Sequence, residues 1–170
     1  MSNAPAPTQV TWQSLRVLGY SLVAAPLVIL VAMYSILGSE EHAFSPPLWA
    51  LLAPIALAFG SATLVGAIGY RTEAVPPGTP REDLAALALP RFQSLMILRM
   101  AFTEVVAIAS IALAFIVPEG GFAVILVGVV LAEALMWWHV VPNQTQVRRV
   151  QQSLEARGAS VPLWDILHGR

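Results

Sequence analysis

Four long apolar stretches limit what this chain can fold into. A membrane helix needs about 20 consecutive, mostly apolar residues. Each stretch meets that length, and the first two carry no formal charge; the four run over about residues 17–37, 48–70, 95–117 and 122–141. The sequence therefore predicts an all-α fold, an integral membrane bundle of four antiparallel transmembrane helices within a domain of residues 1–142.

The overall composition agrees with a membrane protein. Hydrophobic residues make up 57% of the chain and charged residues 11%, whereas soluble domains carry about 25% charged residues. The net charge of −1 provides no basic surface for nucleic acid, and the absence of cysteine excludes disulfides and thiolate metal sites. The lipid bilayer is thus the expected surrounding of this chain.

The arginines predict the orientation of the four spans. They precede span one, lie between spans two and three, and follow span four: Arg16; Arg71, Arg81 and Arg91; Arg148, Arg149, Arg157 and Arg170. The other two loops contain no arginine. Because cytoplasmic loops carry the excess of basic residues, we expect a multi-pass protein of the bacterial inner (plasma) membrane with both termini in the cytoplasm.

The predicted cytoplasmic loop, residues 71–91, contains the signals of a short amphipathic helix. Thr79 is a suitable N-cap, and Pro80 suits the first helical position. The pattern predicts a helix from Pro80 to about Leu89, which Pro90 ends because proline disrupts a helix interior. The loop is therefore expected to be more than a tether.

The predicted cytoplasmic tail, residues 143–170, has two further apolar stripes at helical spacing. They consist of Val147, Val150 and Leu154, and then Val161, Trp164 and Leu167. Such amphipathic segments lie on a membrane surface or dock against the end of their own bundle. The sequence leaves both alternatives open.

Two glutamates interrupt the last two spans. Glu104 and Glu133 are equidistant from the turn at Pro118–Gly121, so an antiparallel hairpin would place the two carboxyls at the same depth. An ionisable group inside the bilayer costs roughly 2.5–3.5 kcal/mol, which makes the two a candidate functional site. They could exchange a proton or cation, hydrogen-bond as a structural contact, or contact a lipid or quinone headgroup.

Small and interfacial residues complete the predicted bundle. Helices associate in lipid through close packing of small residues, which here are Ala58, Ala62 and Gly66 on span two, and Ala101 and Ala107 on the Glu104 face of span three. Aromatic and arginine side chains favour the membrane interface. We expect this for Arg99, Trp137, Trp138, His139 and Trp164.

Part of span three resembles a known ion-carrying helix. The stretch from Met100 to Ala109, Met-Ala-Phe-Thr-Glu-Val-Val-Ala-Ile-Ala, continues to Ala114-Phe115-Ile116. It resembles the helix of ATP synthase proteolipid (c) subunits that carries the ion-binding carboxylate, which implies Glu104 as the carrier. The preceding span lacks that family's alternating glycines, and about twenty residues replace its short polar loop. As a whole, the chain resembles uncharacterised small four-helix membrane proteins of bacteria, which implies no activity.

The sequence contains no pattern typical of an enzyme. There is no P-loop, dinucleotide-binding or zinc-protease motif, and the three histidines are far apart along the chain. We therefore expect no catalytic residues, no metal site and no cofactor. The predicted function is a non-catalytic accessory, assembly or interaction subunit of a larger bacterial membrane complex, bound to another membrane protein or to its own copies. The alternative is a proton or cation transporter or channel that uses Glu104 and Glu133.

Overall fold

The computed structural model describes residues 11–170, and this part of the chain is all-helical. It contains six helices: α1 (Trp12–Leu37), α2 (Leu48–Ile68), α3 (Arg81–Ala114), α4 (Gly121–His139), α5 (Gln144–Leu154) and α6 (Leu163–Leu167). The first four are long and apolar enough to cross a membrane. The predicted all-α bundle with four membrane helices is therefore confirmed.

The hairpin of α3 and α4 forms the centre of the bundle. Helix α2 packs against both of these helices, whereas α1 packs mainly against α4. At the middle of the hairpin, a Cβ added at Gly128 would overlap the hydroxyl of Ser110, so the missing side chain lets the two helices approach closely. The α3–α4 hairpin thus holds α1 and α2 on different sides.

Helix α3 does not end at Pro90, contrary to the sequence prediction. It runs without a break from the predicted loop helix into the third span. Pro90 has no N–H, so the carbonyl of Ala86 loses its hydrogen-bond donor within the helix. Both residues lie on the exposed side of α3. On the other side, Leu84, Ala88 and Phe92 are buried in one core cluster. Packing on both sides of Pro90 thus outweighs its local effect.

The start of α3 also differs in detail from the prediction. Pro80 is the N-cap residue, and no side chain caps the helix. The hydroxyl of Thr79 instead donates to the carbonyl of Pro76 at 2.7 Å. Thr79 therefore stabilises the turn before the helix rather than the helix itself.

The C-terminal tail docks against the bundle, which decides between the two alternatives for its apolar stripes. Apolar residues of α5, of α6 and of the segment between them belong to the same buried cluster as the first part of α3: Val147, Val150, Leu154, Val161, Leu163 and Leu167. The loop before α3 adds backbone contacts, since Val75 N–H donates to the Leu154 carbonyl at 2.8 Å. Thr72 N–H donates to Ser153 Oγ, which in turn donates to the Thr72 carbonyl. The tail is therefore part of the folded core.

The tail contact can be tested with Val150→Asp. Val150 is fully buried, and an unpaired carboxylate there should cost about 3 kcal/mol or more and release the tail. Limited trypsin digestion in detergent should then cut after Arg157 much faster than in the wild type. The control, Gln152→Asp, adds the same charge at an exposed position of α5. Equal cleavage of the two variants would contradict the docking.

The residues expected to pack the helices are divided between the inside and the outside of the bundle. Ala58 and Ala107 are buried, whereas Gly66 and Ala101 are exposed and Ala62 is half-buried. The reason is rotation: α2 turns Ser61 and Val65 toward the hairpin, and Gly66 is about 100° from Val65. Gly66 and Ala101 therefore face the outside of the bundle rather than its core.

Candidate functional site

The two intramembrane carboxyls lie at the same depth in the α3–α4 hairpin. Contacts on both sides of them set the register of the two helices. Toward the hairpin turn, Ser110 packs against Gly128, and toward the opposite end Arg99 Nε donates to the carbonyl of His139 at 2.7 Å. This register places Glu104 level with Glu133.

Glu133 faces α1. Two aromatic residues of α4 contact tyrosines of α1. The ring centroids of Phe122 and Tyr34 are 5.2 Å apart, and those of Trp137 and Tyr20 are 6.0 Å apart. At about 100° per residue, Glu133 lies within about 20° of Phe122 and 40° of Trp137 around the helix. Glu133 is 9% exposed, so it is buried on the side of α4 that packs against α1.

Glu104 lies on the same side of the hairpin but is more open. Met96 of α3 packs beside Gly19 of α1, and this contact marks the α1 side of α3. Glu104 is two turns farther along and about 80° farther around, where it is half-buried. Glu133 is therefore buried on the α1 side of α4, whereas Glu104 borders the outside of the bundle.

Helix α1 has a buried proline at this depth. Gly19 lies against Pro142 and Tyr34 against Phe122, so Pro26, about midway between them, is level with Glu133. Proline has no N–H, so the carbonyl of Leu22 loses its partner within α1. A free backbone carbonyl and two carboxyls thus share one level of the bundle.

The oxygens of Glu133 have no hydrogen-bond donor among residues 11–170, although both atoms are buried. A buried carboxylate must be compensated by a proton, a cation or a donor. The hydrogen-bonded contact with Glu104 that the sequence suggested is thus not made in this conformation. Carboxyl groups and a backbone carbonyl freed by a helix break are groups that bind protons and hard cations in membrane proteins.

A second polar cluster lies where α2 and α4 end. Arg99 is completely buried and donates from Nη1 to the carbonyl of Gly69 at 3.0 Å as well as from Nε to that of His139. The last carbonyls of a helix lack partners, and the partial negative charge there favours a cation. Arg99 was expected to extend to the membrane interface, but it instead caps both helix ends from inside the bundle.

Tyr70 and His139 complete this cluster. The Tyr70 ring lies near two guanidinium groups, with Arg99 Cζ 4.7 Å and Arg149 Cζ 5.0 Å from its centroid. Its hydroxyl is 2.8 Å from His139 Nδ1. His139 is therefore a buried structural residue rather than part of an aromatic belt. Trp137 and Trp138 beside it are 55% and 73% exposed, as interfacial residues would be.

Tyr70 and Arg149 were not predicted from the sequence as members of this cluster. Tyr70 follows the apolar run of α2 and was counted within that span, and Arg149 was one of several tail arginines. Their contact depends on the docking of α5, which no local pattern specifies. Trp164, expected at the membrane interface, is half-buried and packs against Trp12 at 5.1 Å.

Comparisons with known proteins do not assign a family. No protein-family model, curated protein or solved structure matches this chain. Its function must therefore be argued from its own residues. The carboxyls of Glu104 and Glu133, at the depth of Pro26, can bind a proton, a cation or a hydrogen-bond donor from a partner. The Arg99 cluster instead joins the ends of α2 and α4.

The role of Arg99 can be tested by replacing it with methionine. Loss of two charged hydrogen bonds to helix ends should lower the free energy of unfolding by about 3 kcal/mol or more. Arg99→Lys should retain only part of this stabilisation, because an ammonium group lacks the planar array of N–H donors that reaches both carbonyls. The measurement is the unfolding temperature in mild detergent.

The control is Arg91→Gln. Arg91 contacts Glu73 in a salt bridge of 3.4 Å near the surface, which should be worth less than about 1 kcal/mol. An Arg99→Met protein that unfolds at the temperature of Arg91→Gln would show that the buried guanidinium does not hold the helix ends.

Proposed function

We propose that this protein is a non-catalytic subunit that binds another membrane protein, or its own copies, through the outward face of α3. The observation that carries the proposal is the position of Glu104. It is half-buried at the level of the carboxyl site, while its neighbours Ala101 and Ile108 are exposed. A polar group and a small residue are thus presented toward the outside of the bundle.

The energy of an intramembrane carboxyl favours such a partner. Leaving Glu104 at a lipid-facing position costs roughly 2.5–3.5 kcal/mol. A donor from a neighbouring helix removes that cost, and a small residue such as Ala101 lets the neighbouring backbone come close. Gly66 on α2, where an added Cβ would meet nothing within 4 Å, offers a second position for close approach.

The proposed location is the inner membrane of a bacterium, with both termini in the cytoplasm. One end of the bundle comprises the start of α1, the loop between α2 and α3, the first turns of α3 and the tail, and these segments carry eight of the nine arginines. The loops at the other end carry none. This asymmetry supports the orientation through the preference of basic residues for the cytoplasmic side.

The subunit proposal is tested by native purification in mild detergent followed by mass spectrometry. We expect a stoichiometric partner, or a defined homo-oligomer, with the wild type. Ala101→Leu and Glu104→Gln should each abolish binding of the partner or formation of the oligomer. Both variants should keep the wild-type unfolding temperature, since both side chains lie toward the outside. The controls are Ile108→Leu, which conserves an apolar side chain, and Glu119→Gln, which removes a carboxyl from an exposed loop. A monomer without a partner in the wild type would contradict the proposal.

Proton or cation exchange is a second candidate, favoured by the unpartnered oxygens of Glu133 beside the helix break at Pro26. In this case Glu133→Gln should abolish proton or cation flux into liposomes that contain the purified protein. The fold should persist, because the glutamine keeps the shape of the side chain. Glu119→Gln serves again as the control for charge removal. Flux that is unchanged in Glu133→Gln, or absent in the wild type, would exclude this function.

A further inference from the structure

A small cavity lies beside Tyr70 at the arginine-rich end of the bundle. It has a volume of about 250 Å³, and Trp137, Trp138, Gln146 and Arg149 are among the residues that line it. The two tryptophans are the exposed aromatic residues at the end of α4. The cavity therefore opens where the apolar length of a membrane helix gives way to a polar tail helix.

Gln146 contributes a hydrogen-bond acceptor that lacks a donor. The residue is 2% exposed, and its Nε2 donates to the carbonyl of Trp138 at 2.9 Å. This bond fixes the orientation of the side-chain amide, because the other terminal atom must be the oxygen. That oxygen, Oε1, is buried and has no hydrogen-bond partner among residues 11–170. A donor on a ligand in the cavity would satisfy it.

Two features of the same cavity favour a negative charge. Arg149 makes no salt bridge in the part of the chain that the structure describes, and the Tyr70 ring against its guanidinium holds it beside the cavity. Thr145 also lines the cavity and belongs to the first turn of α5. The N–H of Gln146 donates to Asn143 Oδ1, which leaves the N–H groups of Gln144 and Thr145 without an intrahelical partner and able to attract an anion. The site thus combines a cation and N–H donors with an acceptor.

We propose that this cavity binds the headgroup of a phospholipid whose phosphodiester is followed by a hydrogen-bond donor. Arg149 and the N-terminus of α5 hold the phosphate, and Gln146 Oε1 accepts from an ammonium or hydroxyl group. Trp137 and Trp138 contact the acyl chains next to the headgroup, as aromatic residues at the membrane interface do. Phosphatidylethanolamine and phosphatidylglycerol carry such a donor. Phosphatidylcholine does not, because its ammonium is fully methylated.

The test is lipid retention measured by native mass spectrometry. The protein is reconstituted with equal amounts of the three lipids and then gently delipidated. Wild type should retain phosphatidylethanolamine or phosphatidylglycerol in preference to phosphatidylcholine. Arg149→Gln should reduce retention about tenfold, as expected for one lost charge-assisted contact. Its matched control is Arg148→Gln, the same change at the adjacent exposed residue, which does not line the cavity.

Gln146→Met tests the acceptor separately. It keeps the length of the buried side chain but removes the oxygen, so the preference over phosphatidylcholine should disappear. If this variant does not fold, Arg149→Gln, a change at an exposed residue, still tests whether the cavity binds the lipid headgroup. Retention in the proportions of the mixture, or equal losses in Arg148→Gln and Arg149→Gln, would overturn the proposal. Binding of soluble glycerophosphoethanolamine without retention of any lipid would also overturn it.

Discussion

The buried guanidinium of Arg99 is the contact on which the arrangement of the helices depends. From the middle of α3, it donates to the carbonyl of Gly69, which follows α2, and to the carbonyl of His139, the last residue of α4. Two chain segments that are far apart in sequence are thereby fixed at one depth. Arg99 also lies against the ring of Tyr70, which contacts His139 and Arg149, so the buried guanidinium is next to the cavity that the docked tail helix completes.

The depth of the carboxyl site follows from the same register. Once Arg99 is level with His139 and Ser110 with Gly128, Glu104 and Glu133 must also be level. Their surroundings nevertheless differ, since Glu133 is buried and Glu104 is only half-buried. One carboxyl can therefore serve the interior of the bundle while the other remains available to a neighbouring helix, and the two proposed functions assign different roles to them.

Much of the fold could be predicted because the signals are local. Apolar length identifies the four spans, and helical spacing identifies the apolar face of α5. Pro90 was misjudged because its local cost is outweighed by packing on both sides of it, which a sequence pattern does not record. Arg99 was assigned to the membrane interface for a similar reason: only the folded chain places two helix ends within its reach. The equal depth of the carboxyls was predictable, but the burial of Glu133 and the partial exposure of Glu104 were not.

The polar atoms that the bundle leaves without partners differ in what they can bind. Ser61 and Ser110 donate to backbone carbonyls, so their hydroxyls are satisfied within the bundle. Among residues 11–170, Glu133 and Gln146 instead hold buried oxygens without a donor. An unpaired buried oxygen costs free energy, and a stable bundle could have avoided that cost with an apolar side chain. Gln146 lines the cavity at the end of α4, and Glu133 lies at the depth of the Pro26 break in α1. A proton, cation or donor bound at either position would offset that cost.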